Sequence, residues 1–176
     1  DKMLLFPDSM VTVSTGFSIT KRETGIEFPN VKGNKHSIKW LPKADKMFIS
    51  KGEKPFVMYD SLATFSGNLL LQPLGLTGAG LLNVPNGKLS SSLFEYSSNA
   101  LAANESTLTI LKTNTDSVAL ETSKVKATIN FANMLGEFSR VDKSIYASLD
   151  ALRYSSYHDR FKWDLKGYKV YFETLM

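Results

Sequence analysis

Apolar and polar residues alternate with a period of two along most of the chain, and this pattern restricts the fold more than any other feature. The longest example is 124–131, where Val125 and Ile129 fall on one side and Lys126 and Thr128 on the other. Such alternation is typical of an antiparallel strand with one buried face. Because it recurs in short stretches throughout, the sequence predicts an all-β protein.

Residues that favour turns separate these stretches at short intervals. Asn86-Gly87 predicts a two-residue hairpin loop, and Gly67-Asn68, Gly78 and Gly80 predict further corners. Only 144–157 has apolar residues at the three-to-four spacing of a helix. We therefore expect at most one short helix.

Charge divides the sequence into three segments. Between Ser61 and Thr115 there are only four charged residues, whereas both flanks are more highly charged. We divide the chain into an N-terminal β segment (1–60), a low-charge stacked β segment (61–140) and an aromatic C-terminal hairpin segment (141–176). The pattern predicts a stacked antiparallel sheet of the β-solenoid or grooved-sheet type. The alternative is a β-sandwich.

Composition excludes several classes of function. The 176 residues include no cysteine, which excludes disulfides and cysteine-based zinc sites. The net charge of +4 is spread out rather than concentrated, so no nucleic-acid partner is expected. No stretch approaches the roughly 18 apolar residues of a membrane-spanning helix. The start at Asp1 and the strand-like 168–172 near the end predict a segment of a longer polypeptide.

Signatures of catalysis are not apparent in the sequence. There is no Gly-x-Ser-x-Gly elbow, phosphate-binding loop or His-Glu-x-x-His motif. The two histidines, His36 and His158, are far apart and are expected at the surface or in turns. We predict a non-enzymatic protein without metal or cofactor.

The aromatic residues near the C-terminus have two interpretations. Residues 161–165 and 168–172 form a predicted hairpin whose apolar face, including Tyr168, packs into the core. Tyr171 lies on the opposite face of that hairpin and is the ring most free to contact a ligand. Under the alternative interpretation, a carbohydrate-binding module, the candidate contact residues are Tyr171, Tyr157 and Tyr154.

One stretch, covering roughly residues 55 to 140, resembles a known class of proteins. The residues that carry the resemblance are Phe56–Asp60, Phe65–Pro73, Gly75–Gly80 and Gly87–Ser91. This succession of strand, proline, Gly-Leu-x-Gly-x-Gly, short strand and Leu-x-Ser resembles large β-rich proteins exported by Bacteroidetes. It is also similar to AsmA- and TamB-like proteins. The resemblance implies a long grooved sheet that bridges the cell envelope and carries lipid.

A second pattern agrees with export. Bacteroidetes O-glycosylate exported proteins at Asp-Ser or Asp-Thr followed by an apolar residue, which makes Ser9, Ser61 and Ser117 candidate O-glycosylation sites. We therefore expect a location in the periplasm or at the surface of a Gram-negative bacterium.

Three functions follow from these observations. The first is a structural or protein-interaction segment of a large cell-envelope protein, whose partners are flanking segments of its own chain or other envelope proteins. The second is a carbohydrate-binding module that binds a glycan. The third is an envelope lipid-bridging element.

Overall fold

The protein forms one antiparallel β-sheet whose strands follow one another along the chain. The computed structural model describes residues 3–20, 27–113, 115–141, 147–149 and 154–173, without the side chains of Tyr154 and Ser156. In chain order the strands are β1 Met3–Phe6, β2 Ser9–Ser14, β3 Phe17–Ile19, β4 Val31–Gly33, β5 His36–Leu41, β6 Lys46–Ile49, β7 Phe56–Met58, β8 Ala63–Gln72, β9 Gly75–Val84, β10 Gly87–Tyr96, β11 Ala100–Leu111, β12 Val118–Asn130, β13 Leu135–Arg140, β14 Ala147–Leu149, β15 Tyr154–Ser156, β16 Arg160–Asp164 and β17 Lys169–Glu173.

Helical structure is minimal in the described residues. It consists of two single 3-10 turns, Pro42–Ala44 and Tyr59–Ser61. The sequence allows at most one short helix, at 144–157, and the described part of that stretch contains none, because residues 147–149 and 154–156 are the strands β14 and β15. Residues 144–146 and 150–153 lie outside the described ones. No helix in the described ranges has the length and apolarity needed to cross a membrane.

The strand pairing is a meander. β1 pairs with β2. β2 also pairs with β5, and β3, which follows β2 along the chain, pairs with β4. β5 pairs with β6 and β4 with β7, and both β6 and β7 pair with β8. From β8 to β13 each strand pairs with the next. Beyond β12 and β13 the sheet has two branches. β14 pairs with β12 and β15 with β14, whereas β16 pairs with β13 and β17 with β16. The described strands do not close into a ring.

The predicted alternation in β12 is confirmed. Val125, Ala127 and Ile129 are buried, whereas Lys126 and Thr128 are exposed. The same rule holds for the other long strands, so one face of the sheet forms a continuous apolar core. The sheet therefore has a core face and an outer face.

The core face is covered because the sheet curves back over itself. The buried Phe65 ring of β8 contacts Phe94 and Tyr96 of β10 edge-to-face, at 6.0 and 5.9 Å between ring centroids. Tyr59, ahead of β8, stacks on Phe131 after β12 at 3.9 Å. These contacts join strands that are not neighbours in the sheet. They bury residues of all three sequence segments in one core.

Three glycines that the sequence predicts at corners of the chain have a different role in the structure. Gly67 lies within β8 and Gly78 and Gly80 lie within β9, rather than in turns. A Cβ at Gly78 would come within 3.1 Å of the rings of both Phe65 and Tyr96. The glycines are therefore required where aromatic rings and the opposing backbone lie directly against the strand.

The hairpin between β9 and β10 is confirmed, but its loop is displaced by one residue. Val84 pairs with Gly87, so the loop residues are Pro85 and Asn86, and Asn86 has a φ of 56°. Proline followed by a residue with positive φ suits a type II turn. Gly87 is a strand residue, and a Cβ there would overlap the ring of Trp163.

The C-terminal hairpin is largely as predicted. Phe161, Trp163 and Leu165 are buried, and Trp163 is only 1% exposed. Val170 and Phe172 return on the same side and pack against the core. Tyr168 was expected to return with them, but it lies in the turn with φ 55° and is exposed.

Candidate functional site: an exposed apolar sheet edge

Much of the apolar surface that the fold leaves exposed is concentrated at one end of the sheet. We call β1, β2, β5 and β6 the N-terminal wing. Its strand β1 has the sequence Met-Leu-Leu-Phe, and all four side chains are between 45% and 75% exposed. A run of four exposed apolar residues in a strand is unusual for a protein surface.

The core face continues onto the N-terminal wing but loses its cover there. Strand register places Leu5, Met10 and Trp40 in one row on this face. The row continues through Met47 and Leu71 of β6 and β8. Leu71, Met47 and Met10 in this row are half-buried, whereas Trp40 is 37% and Leu5 is 75% exposed. The row is thus an extension of the core in which Trp40 and Leu5 are left exposed by the described residues.

The outer face of the wing is also apolar. Leu4 lies opposite Val11, and across Lys39 the same row reaches Phe48 and Leu70. Leu4 and Phe48 are both exposed. A strand in water normally has one apolar face. β1 has two, which is typical of a strand with neighbours on both faces.

β1 also has an unpaired edge. Among the described residues its backbone pairs only with β2, so its other side presents free N–H and C=O groups. Exposed edge strands usually carry charged residues or proline, which discourage pairing with other chains. β17 at the opposite end follows this rule, because it begins at Lys169 and ends at Glu173. β1 contains no charged residue.

An ion pair joins the turn next to β1 to a neighbouring connection. Lys43, in the connection between β5 and β6, forms an ion pair with Asp8 in the turn between β1 and β2. Both side chains are exposed, so the pair adds little to stability. It does link two neighbouring hairpin ends.

A groove lies elsewhere, on the outer face of β12, β13, β16 and β17. It has a volume of about 570 Å³ and is lined mainly by charged side chains. Two ion pairs cross it: Lys162 with Glu173 at 3.1 Å, and Arg140 with Asp159. Most of its charge is thus compensated internally. It has the character of a solvated sheet face rather than a pocket with a preorganised reactive group.

The candidate ligand-contacting tyrosines lie on different branches of the sheet. Tyr171 is 51% exposed, and it lies on β17 opposite Lys162 at the border of the charged groove. Tyr157 follows β15 and is exposed as well. The side chain of Tyr154 lies outside the described residues.

The candidate O-glycosylation residues lie in or beside turns. Ser61 ends the 3-10 turn before β8, and Ser117 precedes β12; both are exposed. Ser9 is the first residue of β2 and is half-buried. All three lie where the sequence places loops or strand ends.

One histidine is not where the sequence predicts it. His36 is fully buried at the start of β5, stacked on Phe56 at 3.9 Å between ring centroids. Its Nδ1 lies 3.0 Å from the carbonyl oxygen of Ser50, while its Nε2 has no hydrogen-bond partner among the described residues. His158 is half-buried and stacks on Phe172 at 4.1 Å. Both rings act in packing. Across the described ranges no three metal-binding side chains come together.

Sequence reasoning missed the site that the structure makes most prominent. The signal was available, because residues 3–6 are apolar without alternation and precede the turn residues Pro7 and Asp8. Periodicity alone cannot distinguish an edge strand with two apolar faces from a fully buried strand. Only the pairing partners distinguish the two.

Comparisons with protein-family models, curated proteins and solved structures find no match to this chain.

Proposed function

We propose that this chain is a non-catalytic structural and protein-interaction segment of a larger exported cell-envelope protein. Its β-sheet is extended at β1 by a strand from outside the segment, by β-strand addition. The periplasm or the surface of a Gram-negative bacterium is the proposed location.

The observation that carries this proposal is the chemistry of β1. The strand combines an unpaired backbone edge with exposed apolar side chains on both faces. A strand placed beside it would satisfy the free backbone groups and bring its own side chains alongside Leu4 and Leu5. Neither a small polar ligand nor a substrate would do both.

The test uses the absence of cysteine from the chain. Leu5→Cys introduces a single thiol on β1, and Leu74→Cys introduces one at the turn between β8 and β9, where the side chain is 81% exposed. In purified chain at nanomolar concentration both thiols should react rapidly with a maleimide. In intact envelopes we expect Leu5→Cys to react at no more than about one tenth of its rate in the purified chain, because a neighbouring strand shields it. Leu74→Cys should react at a similar rate in both preparations. Equal reactivity of the two variants in envelopes would contradict the proposal.

Export has a separate test. Peptides containing Ser9, Ser61 or Ser117, prepared from the native organism, should carry a mass increment that includes hexose. Ser61 and Ser117 should be more completely modified than the half-buried Ser9. Three unmodified peptides would remove this support for export.

A glycan-binding function is the second candidate, and the exposure of Tyr171 favours it. An exposed ring on a flat sheet face can stack against a sugar. Binding on a glycan array should disappear in Tyr171→Ala and persist in Tyr168→Ala, which removes an exposed ring from a turn. Loss of binding in both variants, or in neither, would argue against this site.

A lipid-bridging function is the third candidate. The uncovered apolar row that includes Leu5, Met10 and Trp40 supports it. Lipid that co-purifies with the protein and is lost in Trp40→Glu would favour this function over strand addition.

A further inference from the structure

We propose that the strand added to β1 is the β1 strand of a second copy of this chain. The two copies form a dimer with twofold symmetry and one continuous antiparallel sheet. This inference rests on the proposed function, because it names the partner for the same edge.

The free backbone groups require a polypeptide strand as the occupant. A lipid or a sugar can cover apolar side chains, but it cannot continue a ladder of N–H and C=O groups. The incoming strand must also be apolar on both faces, since Leu4 is exposed on the outer face and Leu5 on the core face. Any charged residue on that strand would be placed against an apolar row.

β1 itself meets this requirement. Among the described strands, β1, β3, β15 and β17 each pair on one side only. β3 and β15 are three residues long and contain serine, and β17 carries Lys169 and Glu173, so β1 alone of these four has no polar residue. Pairing β1 with the β17 of another copy would place these charges beside apolar residues. It would also leave a free edge at each end, which leads to open-ended filaments. Pairing of β1 with β1 uses the same surface twice and closes after two copies.

Symmetry restricts the register. A twofold axis perpendicular to the sheet keeps both core faces on the same side, so core-face residues must lie opposite core-face residues. If the twofold axis passes beside Leu4, Leu4 of one copy lies opposite Leu4 of the other, and Met3 of each copy lies opposite Leu5 of the other. Centring it on Leu5 would place Met3 opposite Pro7, which lacks an N–H group and begins the turn. We therefore infer the register centred on Leu4.

The dimer should be weak. A four-residue strand buries less surface than the roughly 1,200 Å² of standard interfaces. Association is therefore expected to depend on concentration. No charge on β1 opposes it.

Sedimentation velocity of the purified chain between 1 and 200 µM tests the association. We expect a shift from monomer to dimer for the natural chain and for Leu74→Lys. Leu4→Lys should remain monomeric, because it places two lysines opposite each other across the axis. A monomer at every concentration, or a series of species larger than a dimer, would overturn the inference.

Disulfide formation tests the register without a destabilising charge. Leu4→Cys should form a disulfide-linked dimer under mild oxidation, because the two thiols lie directly opposite each other. Leu74→Cys at the same concentration should not. Circular dichroism of each variant checks that the sheet is retained. A linked dimer of both variants to the same extent would indicate random collision and overturn the register.

These outcomes separate the two proposals. If the chain stays monomeric and Leu5→Cys is still protected in intact envelopes, a different strand covers β1 and only the second-copy inference fails. If Leu5→Cys is unprotected in envelopes as well, the proposed function fails with it.

Discussion

Two buried tyrosines show how individual side chains couple distant parts of the sheet. The Tyr59 hydroxyl donates a hydrogen bond of 2.7 Å to the carbonyl oxygen of Ala100, which joins the start of β8 to β11. The Tyr96 hydroxyl is also buried but has no hydrogen-bond partner among the described residues. Burial raises the pKa of both tyrosines above the ordinary value of 10.0, and the neighbouring Tyr59 raises that of Tyr96 further.

A pH dependence of stability follows from these shifts. Above pH 10 the unfolded chain loses its tyrosine protons while the folded chain keeps those of Tyr59 and Tyr96. Their contribution is therefore complete below pH 10 and declines as the pH rises further. At pH 11 the decline should be about 1 kcal/mol for each tyrosine.

The measurement compares urea unfolding at pH 8 and pH 11. The double variant Tyr59→Phe, Tyr96→Phe should lose less stability between the two pH values than the natural chain does. The matched control is Tyr168→Phe, which removes the hydroxyl of an exposed ring. An equal loss in the double variant and the natural chain would contradict the assignment.

The burial and contacts of single residues were predicted less well than the positions of the strands, for a physical reason. The sequence indicates which residues alternate, and β12 and the C-terminal hairpin were predicted from that pattern. It does not indicate which parts of the core face will meet. His36 is buried because Phe56 stacks on it, and Gly87 is a glycine because Trp163 lies over it. Both contacts depend on how the sheet curves.

At the scale of single elements, β8 and β9 show what their glycines do. Gly67 lies opposite Gly80 in the ladder, and Gly80 has a φ of 152°. A Cβ on Gly67 would collide with the carbonyl oxygen of Ala79 and lie 2.6 Å from the Phe65 ring. The two strands can therefore approach and bend at this position only without side chains.

Gly67→Ala should destabilise the protein by about 1–3 kcal/mol, because the backbone of β9 must shift to relieve the overlap. Gly16→Ala is the matched control, since a Cβ there meets no atom within 4 Å. Midpoints of urea unfolding measure both effects. A Gly67→Ala midpoint as high as that of Gly16→Ala would contradict the role assigned to this position.

β1 marks the limit of sequence prediction at this scale. The strand has the apolar composition of a core element, yet its place at the end of the meander leaves both faces exposed. Composition reports what a strand can bury, whereas position in the sheet decides what it does bury. The candidate site was therefore visible only once the pairing order was known.

For the whole molecule, the three segments defined by charge share one sheet and one core. β6 and β7 of the first segment pair with β8 of the second, and β16 of the third pairs with β13. We therefore expect a single cooperative unfolding transition.

The two tryptophans allow this to be tested, because Trp40 lies in the N-terminal wing and Trp163 in the C-terminal hairpin. In Trp40→Phe, fluorescence reports only the surroundings of Trp163, while far-ultraviolet circular dichroism reports the whole sheet. The two midpoints should coincide within error. A separate transition of Trp163 would show that the C-terminal hairpin unfolds independently.

The meander has a consequence for how such a protein can change in evolution. The ladders from β8 to β13 join strands that follow one another along the chain, so a hairpin there can be duplicated or deleted without redirecting the remaining connections. The breadth of the sheet can therefore vary among descendants while the pairing order is kept. Local connectivity of this kind also lets a hairpin form before the rest of the sheet is present.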